Sequence, residues 1–249
     1  MTKTATAACA LRLAARGIVA LDAVRPGGWT LRQLLAHTAG LGDYFALPAY
    51  REAVAAGTKP WSRDALFARL PAPVAPGLRW AYSNPGYLLA REALEEATGR
   101  DFGTLVRDEL LLPLGLHGTR LAGRREAAWP GYDFGWAYPG TLIGPASEAA
   151  ALVAGILDGP LLDPSARAAM QAARPLGGPI PGRPWATTGY GLGLMIGTGP
   201  GGIAFTGHSG AGPGGCCAVY RVGRAGPVVA AFTADASEAS AEWAVAAGR

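Results

Sequence analysis

The stretch that decides the fold reads PGLRWAYSNPGY and occupies residues 76–87. Its first half is rich in glycine, proline and aromatic residues and predicts a loop. Asn84 is a strong N-cap, and Pro85 suits the first helical position because proline has no N–H to leave unpaired there. Apolar residues then recur at helical spacing as far as Gly99, a typical C-terminal stop. The stretch therefore predicts a loop-to-helix junction that presents Tyr82 and Asn84.

The N-terminal segment places a lysine at the start of another predicted helix. Residues 2–15 are rich in alanine, and Gly17 is a typical stop. Lys3 fits the last position of a Ser-x-x-Lys motif whose serine falls one position before Met1. Residues three apart on a helix share a face, so the amine of such a lysine can reach the serine hydroxyl.

The last third of the chain changes character after about residue 189 and predicts a sheet. A final helix is predicted over residues 237–247. The order of elements indicates one α+β domain over residues 1–249, helical at about 1–185 and with strands and a C-terminal helix at about 189–249. The consecutive antiparallel strands are predicted at residues 190–196, 203–206, 216–222 and 228–233.

Composition narrows the class of protein. Half of the residues are hydrophobic and 16% are charged, which argues against a disordered chain. The net charge of +4 comes from arginines spread along the chain, so no stripe for nucleic acid is predicted. No apolar run has the length of a membrane span. The three cysteines form no disulfide framework and have no metal-ligand spacing to the histidines. We therefore expect no nucleic-acid partner, membrane segment, metal or cofactor.

Three residues form a candidate catalytic group. Lys3 and Lys59 are the only lysines in a chain whose usual cation is arginine. Arginine stays protonated, whereas a buried lysine can act as a base, so Lys3 is either catalytic or a chance surface residue. Tyr82 can serve as a base or proton shuttle, and Asn84 can accept from Lys3 and donate to a substrate carbonyl. The alternative is a simple turn in which Asn84 caps the helix and Tyr82 packs.

A third segment, GHSGAGPG at residues 207–214, follows an apolar strand. Gly210 lets a ligand approach the strand backbone, and the sheet edge can bind an extended acyl substrate as an added strand. His208 can supply positive charge or a hydrogen bond. His208, Ser209 and Gly210 are therefore candidate substrate-binding residues, with a turn histidine as the alternative. Ser209 is a poor nucleophile candidate, because no G-x-S-x-G elbow surrounds it.

Other aromatic and histidine residues allow two interpretations. His37 is interpreted as a structural residue that bonds backbone at a helix end. A dense aromatic group either lines a substrate cleft or packs in the core. Its members are Trp129, Tyr132, Phe134, Trp136 and Tyr138.

The three segments, in this order, resemble the serine β-lactamase and penicillin-binding-protein-like superfamily, and within it the branch of class C β-lactamases, D-alanyl-D-alanine carboxypeptidases and esterases. That branch carries Ser-x-x-Lys, Tyr-x-Asn, and Lys-Thr-Gly or His-x-Gly. Here the motifs lie at residues 1–3, without the serine, and at 82–84 and 208–210. The resemblance covers nearly the whole chain. It implies a β-lactamase/transpeptidase-like fold, with an antiparallel sheet, packed helices and a helical subdomain. It also implies a serine hydrolase that forms an acyl-enzyme with a D-alanyl peptide, ester or amide.

The chain departs from the family pattern in three ways. The nucleophilic serine and the two sheet strands that precede it in the family are absent, and His208 is more typical of carboxypeptidases and esterases than of β-lactamases. We expect this chain to be inactive, either because an internal Met was taken as its start or because it is a non-catalytic remnant that binds a ligand or partner. Without those strands, residues 228–233 are expected to form an exposed apolar edge that permits self-association.

Overall fold

The computed structural model describes residues 1–212, 214–235 and 237–248. Its elements confirm the predicted α+β fold, with helices packed on an antiparallel sheet. The α-helices are α1 (Thr2–Ala15), α2 (Leu31–Leu35), α3 (Pro48–Ala55), α4 (Arg63–Phe67), α5 (Asn84–Thr98), α6 (Phe102–Val106), α7 (Ala146–Leu157), α8 (Pro164–Gln171) and α9 (Glu238–Ala247). The strands are β1 (Arg120–Leu121), β2 (Leu142–Ile143), β3 (Arg174–Gly177), β4 (Thr187–Tyr190), β5 (Met195–Thr198), β6 (Ala204–Gly212), β7 (Gly215–Val222) and β8 (Val228–Thr233).

The main sheet follows chain order. Each strand from β3 to β8 pairs antiparallel with the next, so β3 and β8 form the two edges. Val228 and Ala230 of β8 pack against the main hydrophobic core, whereas Val229 and Ala231 pack against a second cluster that contains α9. The near-continuous apolar run of β8 thus reflects packing on both faces of the sheet.

Helix α1 lies at the centre of the main core, with nearly all of its residues after the first turn buried. Its small alanine side chains allow other elements to approach the helix closely. Buried hydroxyls on the helix find acceptors, because Thr4 donates to the carbonyl of Gly193 at 2.7 Å and Thr6 donates to the carbonyl of Thr2 at 2.9 Å. A polar residue in this helix is therefore tolerated only where it has a hydrogen-bond partner.

The predicted strand at residues 190–196 is wrong. Residue 190 ends β4 and residue 195 begins β5, with a turn between them. Gly193 in this turn has φ of +66°, and a Cβ there would lie 2.7 Å from the carbonyl oxygen of Lys3. Only glycine permits both this conformation and this approach, so the turn is fixed by its contact with α1. The sheet also begins earlier than predicted, because β3 and β4 start before residue 189.

A buried carboxylate joins α1 to the segment after α6. Glu109 is 4% exposed and accepts hydrogen bonds from Arg12 at 3.2 Å, Arg16 at 2.7 Å and Arg100 at 2.9 Å. Burial alone raises the pKa of Glu109, but the bonds from Arg16, Arg100 and Arg12 hold it below its ordinary value. The carboxylate therefore stabilises the fold only while it is ionised.

We expect Glu109→Gln to lower the free energy of unfolding by about 3 kcal/mol at neutral pH, because three guanidinium groups lose their shared carboxylate. A depressed pKa contributes stability above the unfolded value of about 4.5, and this contribution disappears as pH falls through the folded value. Urea midpoints measured from pH 7 to pH 3 should therefore converge for the native chain and the variant. Glu96→Gln, which removes an exposed partner of Arg25, is the control and should change stability little. A constant difference across this pH range would contradict the assignment.

Candidate active site

The structure brings Lys3, Tyr82 and Asn84 together. Lys3 lies in the first turn of α1, and its Nζ donates to Asn84 Oδ1 at 2.7 Å across 81 residues of sequence. The same Nζ lies 5.0 Å from the ring centroid of Tyr82 and 5.6 Å from that of Tyr87. Among the residues that the structure describes, no hydrogen bond joins Nζ to the Tyr82 hydroxyl, so Tyr82 meets the amine through its ring face.

Asn84 begins α5 in a way that differs from the sequence prediction. Ser83, not Asn84, is the N-cap, because its Oγ accepts from the backbone N–H of Gly86 at 3.0 Å. Asn84 is the first helical residue, and its side chain is used elsewhere. Lysine can only donate, so the atom facing Lys3 is the carboxamide oxygen, as predicted. The amide nitrogen faces Asp43 rather than open space, which corrects its expected direction toward a substrate.

Asp43 is a part of the site that the sequence did not indicate. Its Oδ1 accepts from the backbone N–H of Asn84 at 3.0 Å and from the Asn84 amide at 3.1 Å. Burial raises the pKa of Asp43, against the lowering effect of the Asn84 bonds and of Lys3. The contact spans 41 residues, and no local pattern around Asp43 marks it. Asp43, Asn84 and Lys3 thus form one hydrogen-bonded chain.

The floor of the site is aromatic and includes His37. This histidine has φ of 56° directly after α2, and its Nδ1 accepts from the backbone N–H of Ser83 at 3.1 Å. Its ring lies 4.6 Å from that of Tyr82 and 4.7 Å from that of Tyr190, measured between centroids. Burial keeps the pKa of His37 well below its ordinary value, so the ring is neutral. His37 therefore bonds backbone at a helix end, as the sequence predicts.

His208 faces the same floor and is neutral. Its Nδ1 donates to the carbonyl of Ser209, which leaves Nε2 to accept from the Tyr190 hydroxyl at 3.0 Å. Burial is the largest cause that lowers the pKa of His208 well below its ordinary value, and Lys3 lowers it further. His208 therefore supplies no positive charge at neutral pH, which removes one of the two roles that the sequence allowed.

Ser209 lies on the other face of β6. Its register partner Ala218 belongs to the cluster around α9, whereas the partner of His208, Val219, belongs to the main core. The Ser209 hydroxyl accepts from Arg183 at 3.1 Å. Ser209 can therefore contribute only backbone to a ligand in the cleft, and its hydroxyl is remote from Lys3.

Gly210 lies where β6 extends beyond its neighbour. Strand β5 pairs with β6 only as far as Gly207. Residues 208–212 pair with β7 on one side and have no strand partner on the other within the described part of the chain. Their backbone groups on that side form a short open edge, the geometry that an extended ligand uses when it adds a strand.

In the aromatic group of residues 129–138, the core-packing interpretation holds for Tyr132, Trp136 and Tyr138. Trp136 is fully buried against Tyr50 and Trp61, with ring centroids 5.4 Å and 5.2 Å away. Tyr138 donates to the carbonyl of Trp61 at 3.1 Å. These residues belong to a separate, largely aromatic core that also contains Tyr44. Core packing therefore holds for Trp136 and Tyr138. Trp129 approaches Gly214, at the turn between β6 and β7, and lies outside that core.

Taken together, the site has one amine held by an amide, one exposed phenol beside it and a short open strand edge. An amine and a phenol side by side can take and return a proton. A strand edge can hold an acyl substrate in extended form. The hydroxyl that an acyl transfer needs is not supplied by Ser83, which caps α5 and donates to the carbonyl of Gly42 at 2.9 Å.

Comparison with known proteins gives a family match over almost the entire chain. The Beta-lactamase family model matches residues 1–247. Penicillin-binding protein 4* of Bacillus subtilis (strain 168) is 31% identical over 135 residues, which are 50% of this chain and 30% of that protein. The chain thus matches less than a third of the length of this curated relative.

Solved structures with the same fold include two amidohydrolases. A D-stereospecific amidohydrolase from Streptomyces sp. superposes with a TM-score of 0.81 at 27% identity and covers 94% of this chain and 80% of its own. D-amino acid amidase from Ochrobactrum anthropi SV3 superposes with a TM-score of 0.74 at 22% identity and covers 92% of this chain and 75% of its own. The similarity to the D-amino acid amidase shows a shared fold and nothing more.

The helices give no sign of a membrane span. None in the described ranges combines the length and the hydropathy that crossing a bilayer requires.

Proposed function

The chain belongs to the beta-lactamase family of serine hydrolases, and from that membership we propose that its cleft is built for acyl transfer to a serine placed just before Met1. The observation that carries the proposal is the 2.7 Å bond between Lys3 Nζ and Asn84 Oδ1, with the Tyr82 ring against the same amine. Lys3 and Tyr82 are far apart in sequence, and their amine and phenol are groups that can take a proton from a hydroxyl.

The proposed reaction is acyl transfer to this serine followed by hydrolysis. A serine one helical turn before Lys3 attacks the acyl carbon, and its proton passes to Lys3 or Tyr82. The leaving group recovers that proton, and water then hydrolyses the acyl-enzyme. The open edge of β6 at residues 208–212 holds the acyl substrate through the backbone groups that point away from β7. The neutral His208 fixes this strand through Tyr190 instead of binding an anion.

The substrate class that we propose is a D-amino acyl amide, ester or peptide. The D-stereospecific amidohydrolase is 27% identical and shares the fold over 94% of this chain, and the penicillin-binding protein shares part of the sequence. The site adds that His208 carries no positive charge to attract a substrate carboxylate.

A second candidate function is binding without catalysis. Ser83 lies between Tyr82 and Asn84, and Ser209 lies between His208 and Gly210. The hydroxyls of both serines form hydrogen bonds with other groups. The chain by itself therefore offers neither of them as a nucleophile beside Lys3. In this alternative the cleft retains ligand or partner, and Lys3 acts as a positive anchor.

The two functions are separated by one addition to the chain. We expect a form with Ser directly before Met1 to react with a fluorescent penicillin or an activated D-amino acyl ester. Its rate should exceed that of a matched form with Ala at that position by about a thousandfold or more, as for loss of a nucleophile. The unextended chain should behave like the Ala form. Equal labelling of all three forms would refute the proposal, and binding without turnover in all three would favour the second function.

We also propose that a second copy of the chain is a partner. Strand β8 ends the sheet, and none of the described residues adds a strand beyond it. Its sequence VVAAFT has neither charge nor proline, the features that usually keep an edge from pairing. Two antiparallel β8 strands can therefore join two sheets around a two-fold axis.

A further inference from the structure

We propose that Asp43 is a positioning residue that sets the orientation of the Asn84 carboxamide and, through it, the place of the Lys3 amine. This inference rests on the proposed function of the same site. Asn84 has two polar ends, and each has one partner in the described structure: Oδ1 faces Lys3, and Nδ2 faces Asp43. An amide turned by half a rotation would present N–H groups to Lys3, a clash between donors. A carboxylate at position 43 excludes that rotamer because it only accepts.

Asp43 is itself fixed in position. It follows Gly40, whose φ is +79° and whose α-carbon has no room for a side chain, since a Cβ would lie 2.0 Å from the carbonyl oxygen of Val74. The chain then turns into a short 3-10 helix, Tyr44–Ala46, with Tyr44 buried. Neighbours on both sides therefore hold the Asp43 backbone, and its carboxylate is directed at the N-terminus of α5.

Two roles for Asp43 must be separated. Its Oδ1 accepts from the backbone N–H of Asn84 at 3.0 Å, which satisfies an otherwise orphan donor in the first turn of α5. That bond is structural. The bond from the same Oδ1 to the Asn84 side chain, at 3.1 Å, is the one that orients the amide. A test must therefore measure the reactivity of the Lys3 amine and not only the stability of the fold.

The lysine content of the chain supplies such a test. Lys3 and the exposed Lys59 are the only lysines, so labelling with a low dose of acetic anhydride gives two side-chain rates that mass spectrometry resolves by peptide. In Asp43→Ala the amide is free to rotate and Lys3 loses its fixed acceptor. We expect the labelling rate of Lys3 to rise about fivefold or more, as expected for loss of about one hydrogen bond, while that of Lys59 stays constant.

Asp43→Asn is the matched control. Its amide oxygen can accept both bonds that Oδ1 accepts in the native chain, and only the longer bond from Asn84 Nδ2 to Oδ2, at 3.3 Å, is lost. The Lys3 rate should therefore rise less in Asp43→Asn than in Asp43→Ala. Far-ultraviolet circular dichroism at the labelling temperature confirms that each variant is folded. Labelling needs no nucleophilic serine, so it decides this inference even if acyl transfer is never observed. A lower melting temperature in Asp43→Ala with an unchanged Lys3 to Lys59 ratio would overturn it, and would leave Asp43 as a cap of α5 only. If Asp43→Ala does not fold, Asp43→Ser takes its place, because the serine hydroxyl ends one bond earlier than the carboxylate oxygens and gives up the bond to the Asn84 amide. An unchanged Lys3 to Lys59 ratio in Asp43→Ser would overturn the inference.

Discussion

Lys3→Arg in the serine-extended chain is expected to lower acyl transfer by about a hundredfold to ten-thousandfold, the range of general acid–base contributions. Arginine keeps the positive charge and the contact with the Tyr82 ring, but it stays protonated and cannot accept a proton from the serine. The measurement is the second-order rate of acylation by an activated D-amino acyl ester.

Lys59→Arg is the internal control, because Lys59 is exposed and lies outside the contacts that form the site. It should leave the rate unchanged. If Lys3→Arg retained more than about half of the activity, the base would have to be another group. The contact between Lys3 and Asn84 would then be structural, with the amine serving only as a fixed charge.

Self-association through β8 is the second large effect that we expect. Phe232 is 49% exposed on this edge strand and should become buried between two copies. Replacing it with lysine puts a charge on the edge and removes about 1.5 kcal/mol of apolar burial at each of the two sites of a dimer, so the dimer should weaken by about a hundredfold or more. Sedimentation velocity across a concentration series measures this change.

Leu112→Lys is the matched control for Phe232→Lys. Leu112 is 51% exposed and lies outside the six-stranded sheet, so the same chemical change there should leave association as it is in the native chain. A native chain that remains monomeric at high concentration contradicts the proposal. Equal weakening by both variants would show that association follows general surface hydrophobicity instead of strand pairing.

Much of the fold follows from local sequence signals. The alanine-rich run at residues 2–15, the Asn84-Pro85 pair and Gly99 mark helix ends that the structure shows within a residue or two. The strand β8 was predicted at its observed bounds because its apolar run is short and bounded by turns. These helix ends and this strand are set by residues that are close together in sequence, so local patterns are enough to predict them.

The remaining features depend on contacts across the fold. The turn at Gly193 interrupts an apolar segment because α1 packs against it, and no periodicity within residues 190–196 shows that contact. Ser83 replaces Asn84 as the cap because Asp43 and Lys3 use the Asn84 side chain. Burial of His208 beside Tyr190 removes its charge. Each of these outcomes is set by a partner many residues away, so sequence patterns can name the residue but not its role.

The most direct test of the acyl-transfer site is the mass of the chain after reaction. The serine-extended form should gain one acyl group when it is mixed with an activated D-amino acyl ester or a penicillin, and peptide mapping should place the group on the added serine. The matched alanine form and the unextended chain should gain none. An adduct on Ser83, Ser209 or any other native residue, or an equal mass increase in all three forms, would contradict the assignment of Lys3, Tyr82 and Asn84 as its catalytic group.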